Sequence, residues 1–305
     1  MCSTSVDIVP NRSSPQKRIE NMQSQPAAIA DFTPSTGVRS SSIDMSVIRR
    51  VAERYREHGV RILSVLALIG LWYVGAALLP PSIMPAPHIV VEIMWKEMLA
   101  GGIWTDVGIT MTRIVFSFAI AMSIAVVLGF AMGVSKTAGQ FFDVWVVCGL
   151  TVPSLVLILT IYMVVGLNDK AAVLGAALPV VAILTINIWD GVKGVDQKLI
   201  DMAKAYHASQ ASIIRSVIAP QIAPVMLASA RFGLGLIWKM VLFVELLGRS
   251  DGIGYKIEFH YQMFNMGKVL AHALLFLFIM LFIEIVLLGK LEHQLFKWRP
   301  AQRRL

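Results

Sequence analysis

Cysteine is nearly absent from this 305-residue chain and charge is sparse. Its two cysteines, Cys2 and Cys148, lie far apart in the sequence and leave neither a disulfide framework nor a metal-ligand cluster to build on. Charged residues make up 15% against 56% hydrophobic ones, and the mean hydropathy is +0.70. A soluble domain of that composition would have too little polar surface to cover its core. No G-x-x-x-x-G-K-[ST] phosphate loop occurs, so ATP hydrolysis by this chain is not expected. His207 has no cysteine or second histidine at ligand spacing, which argues against a metal site and for a surface turn. No cluster of His, Asp or Ser supports a membrane-embedded enzyme, and no signal peptide opens the sequence.

What the chain has instead is a series of apolar runs. Residues 62–79, 114–135, 144–168 and 171–189 contain no Asp, Glu, Lys or Arg. Each is long enough to cross a hydrocarbon core of roughly 30 Å as a helix. Two further runs, 222–248 with Arg231, Lys239 and Glu245 and 269–289 with Glu284, complete the count. The expected fold is all-α: a polytopic membrane protein with about six transmembrane helices. Pro153 and Pro179 fall inside the third and fourth runs and predict a kink or a local unwinding in each. Between the first two runs, residues 89–99 alternate apolar and charged positions like an amphipathic helix lying on the outer membrane face. Gly129 and Gly133 form a G-x-x-x-G step suited to close helix packing.

Orientation follows from the basic residues. Fifteen Lys and Arg flank the spans on one side, against Lys96, Lys170, Arg249, Lys256 and Lys268 on the other. The positive-inside rule then places both termini and the stretch 192–220 in the cytoplasm. The net charge of +8 matches anionic lipid headgroups, and nothing else speaks for nucleic acid. Residues 1–44 are rich in Ser, Pro, Gln and Asn without apolar periodicity and read as a disordered cytoplasmic tail ahead of a membrane domain, 45–305. Met45 opens a fresh Arg-rich segment and is an alternative translation start, which would leave that tail untranslated.

The stretch 192–220 is polar where its surroundings are not. Leu199, Met202, Ala203 and Tyr206 recur at helical spacing, as do Ile213, Ile214, Val217 and Ile218. The break between them, His207-Ala208-Ser209, ends in a natural N-cap. Two short helices joined by a turn are expected, with apolar stripes that must be covered either by the chain's own helix ends or by a groove on another subunit.

These residues resemble the "EAA" signature of the integral-membrane permease subunits of bacterial ABC importers. The signature's positions read Asp201-Met202-Ala203, His207 and Ala219-Pro220 here. Aspartate keeps the carboxylate, while His207 replaces the turn glycine and Ala219 a leucine. The resemblance extends over residues 62–298 and is greatest to the branch importing nitrate, sulfonates, taurine, bicarbonate or thiamine-precursor pyrimidines. Its carriers are Pro85-Ala86-Pro87, Arg113, Pro153, then Arg231, Gly235, Trp238 and Glu245, and the run Asp251-Gly-Ile-Gly-Tyr255.

The resemblance implies a permease subunit in the bacterial inner membrane, paired with a second permease as the simplest homodimer. It implies a cytoplasmic ATPase dimer that holds the ATP and Mg while this chain carries no cofactor. A periplasmic or lipid-anchored solute-binding protein would deliver the solute. The ATPase-coupling residues carried over are Asp201, Met202, Ala203, His207, Ala208, Ile213 and Pro220.

Charges within the spans are candidates for the pathway or for pairing between helices, because a charge in hydrocarbon costs on the order of 3 kcal/mol or more. Arg113 and Arg231 are expected to snorkel from helix ends toward headgroups. Lys239 and Glu245 lie roughly 120° apart on their helix, so they are not an intrahelical pair. If the solute is an anion, Lys239 is the residue to attract it. An alternative is an ion-coupled secondary transporter using Glu245 or Glu284 as its coupling carboxylate, although no internal repeat supports it.

Overall fold

A computed structural model describes the backbone of residues 45–288 and the side chains of residues 59–286. The expected tail 1–44 and the basic C-terminal stretch lie outside the described residues. The chain divides into two units, Met1–Arg61 and Ile62–Leu305. In the first, the described residues are helical; the second holds the bundle.

All regular elements among the described residues are helical. Helix α1 is Met45–Leu78, α2 Pro87–Ala100, α3 Ile103–Val134, α4 Lys136–Thr151, α5 Ser154–Val165 and α6 Asp169–Lys193. A loop carries α7, Gln197–Ala205, and α8, Gln210–Ile213. A π-helical turn, Ile214–Ile218, leads into α9, Ala219–Gly248, followed by α10, Ile253–Gln262, and α11, Met266–Phe282, which ends in a second π turn, Ile283–Leu288. Among the described residues five helices are long and apolar enough to cross a membrane, and α4 with α5 makes a sixth if the bent pair is one span.

Local chemistry sets the boundaries. The side chains of Ser135, Asn168, Asp196, Ser209 and Asn265 each accept a backbone N–H as N-caps of α4, α6, α7, α8 and α11. The run 144–168 is not the single helix its composition suggests. Val152 is extended, with ψ 125°, as a residue before proline prefers, and Pro153 restarts the chain as α5 at an angle of 97°. Pro179 has no such effect and sits within an unbroken α6. The second span starts 11 residues earlier than its charge-free run, at Ile103, because Asp106 and Arg113 find partners inside the bundle.

Helices α3, α6 and α9 form the core. Helix α6 buries Ala171, Ala172, Ala176, Ala177 and Ala182, small side chains that let neighbouring backbones come close. The G-x-x-x-G step of α3 does the same from the other side. A Cβ on Gly129 would stand 2.9 Å from the Thr185 carbonyl oxygen, and one on Gly133 would overlap the Val192 side chain. Helix α2 does form, and it packs on α11: Val90 is fully buried, and Lys268 Nζ lies 2.7 Å from Glu97 Oε1. The later part of α1 is tied to the segment that follows it, with Trp72 Nε1 donating to the Pro85 carbonyl at 3.2 Å.

Candidate functional site

Polar and charged residues cluster at the two ends of the bundle. The end carrying α7 and α8 is called the loop end, and the other, where α3 begins and α9 finishes, the far end.

At the loop end the structure gives helix, turn, helix as the spacing predicts, with one difference. The second helix is not a separate short element, since α8, the π turn and α9 run on as one path, 210–248, into the span. The wider π turn stands just before Pro220, whose ring would otherwise crowd the carbonyl one turn back. Between α7 and α8, His207 adopts φ 55°, the left-handed conformation the glycine of the signature would take at no cost. The Ala208 N–H donates to the Ala203 carbonyl at 3.0 Å and the His207 N–H to the Lys204 carbonyl at 2.9 Å. That pair of bonds is a Schellman cap, which makes Ala203 and Ala208 partners in closing α7.

Surface is unevenly shared here. Helix α7 buries no residue at all. Met202 is 54% exposed and Tyr206 82%. Asp201, with Lys204 Nζ 3.9 Å away, is exposed, as are His207 and Pro220. Ile213, expected to face a partner, is instead 2% exposed and turned into the chain's own fold, because it belongs to the path that enters α9. Beside this loop a cleft of about 710 Å³ opens between α6 and α9, lined by Asn187, Asp190, Gln221, Ser229 and Phe232 among others.

At the far end an ion network centred on the buried Arg113 and Glu245 joins α3, α6, α9 and the turn after α9, with Asp169 and Asp251 at its exposed rim. Arg113 of α3 is 3% exposed, so it does not snorkel. Its Nη1 lies 2.8 Å from Glu245 Oε1, and its Nη2 lies 2.6 Å from Asp169 Oδ1 and 2.5 Å from Asp251 Oδ1. Arg249 Nη2 approaches the same two aspartates at 3.2 and 3.5 Å. Glu245 is fully buried and also accepts from Thr110 Oγ1 at 2.9 Å and from the Gly254 N–H at 2.9 Å. Asp106 Oδ1 accepts the Gly252 N–H at 3.0 Å. The glycines of Asp251-Gly-Ile-Gly therefore have a physical task. Gly252 has φ 96°, and any side chain there would overlap the Glu245 carboxylate.

The remaining charged candidates separate. Arg231 Nη2 lies 3.3 Å from Glu284 Oε1, a pair between α9 and the end of α11. Lys239 is exposed and makes no ion pair among the described residues; its ammonium lies 5.5 Å from the Trp238 ring centroid. The sequence reading missed Asp106, Thr110, Asp169 and Arg249. Aspartates in the first turns of α3 and α6 were the available signal, since a carboxylate there favours the helix N-terminus.

Apolar spans, a small-residue core and a polar helical loop define the class, an α-helical membrane protein built around packed spans rather than a catalytic pocket. The chain belongs to the family described as the binding-protein-dependent transport system inner membrane component, whose sequence model matches residues 121–289. It is thus an ABC importer permease, a transport subunit and not an enzyme.

The taurine transport system permease protein TauC of Escherichia coli (strain K12) is 25% identical over 80% of this chain and 90% of its own length. A second protein of that organism, SsuC, named provisionally for aliphatic sulfonates transport, is 26% identical over 77% of this chain and 90% of its own. The nitrate import permease protein NrtB of Synechococcus elongatus is 23% identical over 65% of this chain and 74% of its own. Among solved structures, an inward-facing conformation of the MetNI methionine ABC transporter matches in fold, with TM-score 0.50 and 18% identity over 66% of this chain and 96% of that one.

Proposed function

We propose that this permease imports a small anionic nutrient of the sulfonate or nitrate class and couples to a separate ATPase through α7 and the turn at His207. The loop end then faces the cytoplasm, in keeping with the basic residues around it. ATP and Mg belong to the ATPase, a solute-binding protein delivers the solute, and a second copy of the chain completes the pathway. The observation carrying the coupling role is α7 itself: a capped helix that buries no residue and presents Met202 and Tyr206 outward. Apolar side chains so placed outside the bundle fit a groove on a partner. The sulfonate and nitrate class is supported by the names of TauC, SsuC and NrtB.

The test is co-purification of the detergent-solubilised chain with the ATPase encoded beside it. Met202→Asp with Tyr206→Asp is expected to abolish the complex while the membrane domain stays folded. A complex of unchanged yield would overturn the coupling role. Deleting 200–218 is a poorer test, because residues 210–218 are continuous with α9.

The ion-coupled alternative has little left to work with. Glu245 is enclosed by Arg113, Thr110 and Gly254, and Glu284 is paired with Arg231.

A further inference from the structure

Burial sorts α9 into two faces. Ser229, Gly233, Ile237, Val241 and Val244 are buried against the bundle. On the opposite face Ala228, Phe232, Gly235, Lys239 and Phe243 recur every three or four residues as one continuous stripe. Phe232 is 46% exposed and Phe243 45%, and a Cβ on Gly235 would meet nothing within 4 Å. The stripe is open along its length.

Lys239 is the charge in the middle of it. It stands nine residues before Gly248, the end of α9, which is about 13 Å along the helix axis. That depth is close to the midplane of a hydrocarbon core of roughly 30 Å. A lysine stem near a helix end snorkels to the interface, but from the midplane the interface is out of reach. An ammonium facing lipid there costs on the order of 3 kcal/mol or more. The stripe must therefore face water or a compensating charge. Lys239 makes no ion pair with a described carboxylate: Glu245 and Asp169 are held by Arg113 and Glu284 by Arg231, while Asp190 of α6 lines the cleft at the loop end. Two-fold pairing of this stripe with that of a second copy would bring two lysines into one interface, since the stripe itself holds no carboxylate. Two cations sharing one wet space attract an anion. Toward the loop end, Ala228 and Phe232 of the stripe line the 710 Å³ cleft together with Asp190, and Lys239 lies about 10 Å further along the helix axis.

We infer that the exposed stripe of α9 is the wall of the translocation pathway and that Lys239 is an intramembrane binding residue for a small oxyanion. The inference rests on the importer reading and specifies its substrate site.

The test uses the complete transporter, with its ATPase and binding protein, carrying Lys239→Met or Lys239→Arg. Uptake of taurine, methanesulfonate and nitrate is measured beside ATPase co-purification. Lys239→Met is expected to lower uptake of the transported oxyanion-bearing solute at least about tenfold, equivalent to roughly 1.4 kcal/mol. Lys239→Arg keeps the charge and is expected to hold uptake within about threefold. Both variants should retain the ATPase. Uptake by Lys239→Met equal to wild type overturns the site.

A second readout needs no transport. In a background with Cys2→Ser and Cys148→Ser, the thiol of Lys239→Cys should react with a membrane-impermeant methanethiosulfonate reagent, and methanesulfonate should slow the reaction. A thiol that stays unlabelled in the assembled complex overturns the pathway assignment. A wild-type complex that keeps its ATPase but carries none of the three solutes, the two anions or the sulfonate-bearing zwitterion taurine, removes the oxyanion site and leaves the importer reading standing. Failure of the wild type to bind an ATPase removes the importer reading, and the labelling still decides whether the stripe is wet.

Discussion

His207 holds a position where backbone geometry and side chain disagree. At φ 55° a residue with a Cβ is strained, and glycine is not. Replacing His207 with Gly should stabilise the capped end of α7 by about 1 kcal/mol, reduced somewhat by the greater freedom of an unfolded glycine. The measurement is the thermal midpoint of the purified chain, which should rise for His207→Gly and fall for the β-branched His207→Val. Arg113 and Glu245 pose the opposite case, since each satisfies the other out of water's reach. Removing one partner leaves a buried charge uncompensated, so Arg113→Met should cost roughly 3–5 kcal/mol. The double variant Arg113→Met, Glu245→Met should cost less than the two single changes together, a coupling that a double-mutant cycle of unfolding free energies would measure.

Among elements, the contact between α3 and α6 is set by residues that are small. Gly129→Leu drives a side chain against the Thr185 backbone, which cannot move aside as a flexible side chain could. Overpacking of this kind costs about 1–3 kcal/mol, so folded yield in detergent should drop, while Gly108→Ala, in open space, should leave it unchanged.

The docking of α2 on α11 has a pH signature. The hydrogen bond from Lys268 holds the Glu97 carboxyl below its ordinary value of 4.5. A depressed carboxylate contributes stability that is present above its unfolded value and lost as pH falls through the folded one. Amide exchange in residues 87–100 should therefore accelerate as pH drops below about 4.5, after correction for the intrinsic rate, and Glu97→Gln should flatten that dependence.

At the scale of the whole molecule, the class of fold, the number of spans and the helix–turn–helix loop were legible because they depend on runs and periods along one chain. Composition fixed that apolar helices must meet lipid, Ser209 marked the start of α8, and the EAA-like residues pointed to a permease before any contact was known. Burial, pairing and continuity belong to the tertiary structure, since they depend on what lies opposite. Nothing local announced that Arg113 would meet Asp169, Glu245 and Asp251, residues 56 to 138 positions away. Nor did Pro153 and Pro179 differ in sequence terms. One follows an extended Val152 and turns the chain by 97°, and the other rests inside an unbroken α6. The sequence by itself determined which segments are helical and apolar. Only the assembled bundle decided which of their charges are buried in pairs and which, like Lys239, remain on an open face.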